Sequence, residues 1–184
     1  DFGRRPEQFA PRTEEGIQMK RVVIPAVAAM GVALMSAPAT AQEPTVVTSV
    51  TEADLVRYAE SLDHTVEETF DAGEGVPLLR VKAPDMTYFV YGNACEAGIC
   101  KGIKLVSRYN ADATVTPANV NKLNTQVPAV KLWYDDEEDV LAVERYLILD
   151  KGMAEENITF EMSTFHVITP RVIEMFGEFT EAGE

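Results

Sequence analysis

The sequence predicts an α+β fold, an antiparallel sheet of about five strands flanked by three helices, on three observations. Two stretches open with helix-capping chemistry, several β-branched and aromatic runs are joined by short turns, and the last third repeats apolar residues at helical spacing. Thr51 reads as an N-cap whose hydroxyl accepts from the first turn, with Asp54 at the third helical position to return the interaction. Leu55, Val56, Ala59 and Leu62 then line one side of a helix from about Glu52 to Leu62.

Thr65 to Asp71 alternates weakly, as a first strand does, before the turn Ala72-Gly73-Glu74-Gly75. Leu78 to Lys82 is a short second strand. Ala83-Pro84-Asp85 turns it into Met86 to Tyr91, whose aromatic content suits a pleated surface. Gly102 to Tyr109 makes the return strand, with Ile103, Leu105 and Ser107 on one side. Thr116-Pro117 starts a short second helix, the hydroxyl capping and the ring filling the position where no amide hydrogen is needed, and Pro128 bars its continuation. Ala129 to Tyr134 and Val140 to Leu149 read as two strands around the acidic tip Asp135 to Asp139. From Ala154 onward Ile158, Met162, Phe165, Ile168, Val172, Met175 and Phe176 recur three to four residues apart, an amphipathic helix that Pro170 is predicted to kink.

Met19-Lys20-Arg21, the apolar run Val22 to Met35 and the small residues Ala39 and Ala41 read as a secretory signal peptide over 19–41, cut before Gln42. Residues 1–18 then read as an upstream extension, 42–50 as a loose tether, 51–178 as the domain and 179–184 as a tail. The expected address is the periplasm. Of the 16 basic and 30 acidic residues, five and four fall before position 42, which leaves 11 against 26 and a net charge of −15 on the mature part. Such a surface repels phosphate backbones and disfavours nucleic acid, while it keeps the chain soluble or attracts a basic partner. No second apolar run reaches membrane-spanning length, so no membrane span is expected in the mature form.

Cys95 and Cys100 flank Ala97-Gly98 in one short segment between two strand-like runs. In an exported chain the default is a structural disulfide across a hairpin. A thiol-oxidoreductase centre is the rival, although redox pairs usually sit two residues apart at a helix start. A zinc site would need two further ligands, and only His64 and His166 are available.

The aromatic strand Tyr88-Phe89-Val90-Tyr91, the Cys95 and Cys100 pair, the return strand to Tyr109, the step Asn121-Lys122-Leu123-Asn124 and the closing Gly152 to Ile158 occur in an order that resembles the YbjN family of bacterial sensory transduction regulators. The resemblance covers most of Thr51 to Phe176, with Lys151-Gly152 where a Gly-Gly is common and Ala154 where a Thr often caps. It implies a secretion-chaperone-like fold, often paired as a homodimer, with no established enzymatic activity and no cofactor.

The expected function is an exported, non-enzymatic binding or chaperone-like module, a regulator in sensory transduction or envelope stress that acts by protein contact. Tyr88, Trp133 and Phe165 are the expected apolar anchors, and Asn121 and Asn124 share a helix face that can hold a ligand. Two other classes compete with this reading: a hydrolase or thiol oxidoreductase using Cys95 and Cys100, and a cation-binding regulator using Asp135 to Asp139. The acidic tip lacks the interleaved spacing of a calcium loop, and neither His64 nor His166 neighbours a recognisable nucleophile.

Overall fold

The computed structural model describes residues 43–181. The expected upstream extension, the signal peptide at 19–41 and its cleavage point at Gln42 lie outside the described residues. The chain forms β1 (Val46–Val47), α1 (Glu52–Glu60), β2 (Thr65–Asp71), β3 (Pro77–Lys82), β4 (Thr87–Glu96), β5 (Ile99–Asn110), α2 (Pro117–Gln126), β6 (Lys131–Asp135), β7 (Val140–Ile148), β8 (Met153–Ala154) and α3 (Glu155–Glu181). The described residues make an α+β fold with three helices, and the antiparallel main sheet has six strands in the order β2-β3-β4-β5-β7-β6 rather than about five. β1 and β8 make a separate two-stranded ribbon.

Both helix starts form as their residues dictate. The Thr51 hydroxyl accepts from the Asp54 amide while Asp54 accepts from the Thr51 amide at 2.9 Å, and the Thr116 hydroxyl accepts from Asn119 at 3.2 Å with Pro117 in the first turn. α3 continues through Pro170, at which the sequence predicts a kink. One lost backbone bond is outweighed by the packing of Phe165, Val172 and Phe176 on either side of it.

All three helices contribute to one core on one face of the sheet. Leu79, Val81, Tyr88, Val90, Ile103, Leu105, Leu132, Leu141, Val143 and Leu147 point inward from β3 to β7 and meet Leu55 and Tyr58 of α1, Val120 and Leu123 of α2, and Ile158, Met162 and Phe165 of α3. Each large apolar side chain buried there contributes about 1.5–3 kcal/mol.

Two expectations need correction. The stretch 42–50, expected to be loose, is tied down from Thr45: Val46–Val47 pair with β8, Glu155 donates to the Thr45 carbonyl at 2.9 Å, and Val50 exchanges two backbone bonds with Cys100 at 2.9 and 2.8 Å. Its β-branched valines suit strand pairing, and Val50 is buried. At the other end α3 runs past 178 to Glu181, because Phe179 packs against the core with its ring 6.1 Å from that of Phe176.

A candidate contact face on the sheet

Side chains alternate across a strand, so the residues between the core positions share the face that, among the described residues, carries no helix. Strand register assembles them into rows. One row runs Phe70, Leu78, Tyr91, Lys104 and Tyr146 across β2, β3, β4, β5 and β7. The next runs Glu68, Arg80, Phe89, Val106, Glu144 and Lys131, and a third brings Arg108, Ala142 and Trp133 side by side.

Lys104 stands at the middle of the first row. Its ammonium lies 4.7 Å from the centroid of the Tyr91 ring, and among the described residues no carboxylate lies within ion-pair range of it. Tyr146 flanks it on the other side, with its hydroxyl donating to Asn93 at 3.2 Å. The Tyr146 ring lies across Gly102, where a Cβ would come within 2.6 Å of the Tyr146 hydroxyl. Trp133 sits half-buried with the Arg108 guanidinium 5.8 Å from its ring centroid, and Arg108 also reaches Glu138 at 3.1 Å. Five of the 11 basic residues after position 41, namely Arg80, Lys82, Lys104, Arg108 and Lys131, stand on this face of a strongly acidic chain. Aromatic rings with a cation beside them suit contact with a partner's apolar and carboxylate groups.

The other expected anchors lie elsewhere. Tyr88 and Phe165 are both fully buried, with ring centroids 5.9 Å apart, and neither reaches a surface that a partner can touch. Tyr88 falls on the inward parity of β4, and Phe165 on the core stripe of α3. Asn124 is half-buried and clamps the start of β6, donating to the Leu132 carbonyl at 3.0 Å and accepting from the Leu132 amide at 2.8 Å. Asn121 is exposed. Asn124→Ala is therefore expected to cost about 1–3 kcal/mol by stranding two half-buried backbone groups. Asn121→Ala should stay within about 0.5 kcal/mol of the parent. Urea unfolding of the two variants separates a structural clamp from a shared ligand site.

His64 and His166, remote in sequence, meet with ring centroids 4.9 Å apart. His64 is buried and shares a 2.9 Å hydrogen bond with the Tyr88 hydroxyl. Burial and the neighbouring His166 imidazole pull the His64 pKa below its ordinary value, against a smaller opposing pull from Asp63. Burial pushes the Tyr88 phenol up. A histidine held neutral contributes stability that is fully present above about pH 6.5, its unfolded value. That contribution is lost as pH falls through the lower folded value. His64→Gln, which keeps a partner for Tyr88 without titrating, should flatten the decline in unfolding free energy between neutral and mildly acidic pH. Parallel denaturation series at several pH values measure the difference.

Two of the five acidic residues of the β6–β7 tip, Asp135 and Asp139, are engaged in hydrogen bonds at the turn. Asp135 accepts from the amides of Glu137 and Glu138, both at 3.2 Å, and Asp139 accepts from the Tyr134 hydroxyl at 2.9 Å. Cys95 and Cys100 are bonded across the β4–β5 hairpin with their Cα atoms 3.9 Å apart, and Ala97 and Gly98 make the turn, both at positive φ. A groove of about 640 Å³ between α1 and the start of α3 holds Arg57 and Tyr58, and its one guanidinium is shared between Asp54 and Glu155.

Sequence reasoning named Trp133, which lies on this face, but missed the Lys104 row. The alternation of Phe89 and Tyr91 with the core residues Tyr88 and Val90 signals that β4 is aromatic on both sides, but the row needs the pairing of five strands.

No protein-family model matches the chain, and no curated protein matches it. Its structure is similar to the crystal structure of an uncharacterized protein from Methanothermobacter thermautotrophicus, with a TM-score of 0.50 at 10% sequence identity over 70% of this chain and 98% of that one. At that identity the likeness is one of fold alone.

Proposed function

We propose that this protein is an exported, non-enzymatic binding module whose helix-free sheet face makes contact with another protein, as a regulator of the kind the YbjN resemblance implies. The observation that carries this reading is Lys104, which stands between Tyr91 and Tyr146 and, among the described residues, has no counter-ion and no helix over its face. Among the described residues its ammonium meets the Tyr91 ring and no acidic side chain. Its place among aromatics instead suits a carboxylate brought by a partner. The acidic remainder of the surface favours a partner with a basic periphery, and a second copy of the chain is one arrangement the resemblance implies. The closed Cys95–Cys100 pair supports an oxidising compartment and hence export.

The test is a Tyr91→Ala, Lys104→Glu double variant compared with the parent for self-association by sedimentation and for the proteins it retains from a periplasmic extract. The expected result is an unchanged melting temperature with loss of the parent's association. Retention of every parental contact at full strength would refute the assignment.

A further inference from the structure

We propose that the open edge of β7 at Arg145–Ile148 takes up an extended, uncharged and mainly apolar segment of a partner polypeptide as an added strand. This inference is independent of the sheet-face reading. β6 covers β7 only from Val140 to Glu144, whereas β5 pairs with it as far as Ile148. Among the described residues, 145–148 therefore have a strand neighbour on one side only.

The direction of their backbone groups follows from register. Leu149 donates to the Lys101 carbonyl at 2.9 Å, so the odd-numbered residues of β7 bond toward β5. Antiparallel alternation then turns the amide and carbonyl of Tyr146 and of Ile148 to the open side. Among the described residues no loop backbone bonds to either of them. The chain leading into β6 swings away there and leaves a cleft of about 550 Å³ lined by Pro128, Ala129, Val130, Tyr146, Ile148 and Met153. Arg145 pins the wall of this cleft by donating to the Ala129 carbonyl.

The two edges of the sheet are treated differently. β2, at the far edge, has a register shift between Val66 and Glu68 and carries Glu67, Glu68 and Asp71, the bulge and charges that deter strand addition. Between residues 145 and 148 the β7 edge has no bulge, its one charge, Arg145, is neutralised by Glu161, and Tyr146 and Ile148 are 45% and 65% exposed. A row of alternating donors and acceptors selects a polypeptide main chain. The charges beside the cleft already have partners, Arg145 with Glu161 and Lys131 with Glu144, which favours an uncharged segment. The length left open, four residues beside the Pro128–Val130 wall, admits a single strand. A second folded copy would bring its own wall against it.

The probe is the capped hexapeptide Thr-Val-Thr-Val-Thr-Val, titrated into ¹⁵N-labelled protein, with a version N-methylated at alternate residues as control. The expected result is shifts centred on the Tyr146 and Ile148 amides, at least about tenfold weaker with the methylated peptide because its donors are gone. Ile148→Lys, at an exposed position that leaves the core intact, should weaken binding comparably without lowering the melting temperature. Absence of binding at millimolar peptide, equal binding of both peptides, or shifts centred on β2 would each overturn the proposal. So would a concentration-dependent dimer that Ile148→Lys abolishes, since the occupant would then be a second copy.

Discussion

Replacing Phe165 with Ala is expected to remove about 4 kcal/mol of unfolding free energy, the largest loss among the substitutions considered. Phe165 is fully buried on α3, meets Tyr88 edge-on and lies beside His166 at the junction of α1, α3 and the sheet. Truncation removes the transfer energy of the ring and leaves a cavity that the paired strands cannot collapse into. Against a typical total of about 5–15 kcal/mol, such a loss populates unfolded chain. Urea unfolding followed by far-ultraviolet circular dichroism gives the number, and a change below about 1 kcal/mol would mean that the site relaxes or is not core. A loss of partner binding in this variant would follow from unfolding and would not identify Phe165 as an anchor.

The second large effect concerns Gly92. A Cβ built there would stand 2.4 Å from the Cys100 sulfur and 2.8 and 2.9 Å from two ring carbons of Pro77. Neither neighbour is the free end of a flexible side chain, since the sulfur is bonded to Cys95 and the ring is buried at the start of β3. Gly92→Ala is therefore expected to cost about 3 kcal/mol through overpacking. Part of that cost should disappear when Gly92→Ala is combined with Cys95→Ala and Cys100→Ala, because the freed Cys100 position no longer carries the tethered sulfur. A double-mutant cycle on melting free energies checks this. If the penalty is the same with and without the disulfide, Pro77 alone causes the clash.

What was legible in the sequence was local. The caps at Thr51 and Thr116 act within a turn of their residues, the run Thr65 to Asp71 is β2 to the residue, and Ala97-Gly98 forms the bend between the cysteines. What escaped was non-local. β6 leaves α2 for the outer edge and β7 returns beside β5, so the order of the last two strands reverses. That reversal leaves residues 145–148 uncovered, and no window of sequence displays it. The Lys104 row is built from five strands, the His64 and His166 pair from a loop and a distant helix, and the β1–β8 ribbon from segments more than 100 residues apart in the chain. Tyr88 looked like an anchor because one strand is aromatic on both sides, and only the position of the helices decides which side is covered.

The central claim is that the helix-free face is the surface that meets a partner. The most direct measurement places a photo-crosslinking amino acid at Tyr91, at Lys104 and, as a control on the outer side of α3, at Phe160, which is 68% exposed. Irradiation in the cells that make the protein should give adducts of defined mass from the two sheet positions and none from Phe160. Adducts from Phe160 with none from Tyr91 or Lys104 would contradict the account and move the contact surface to the helices.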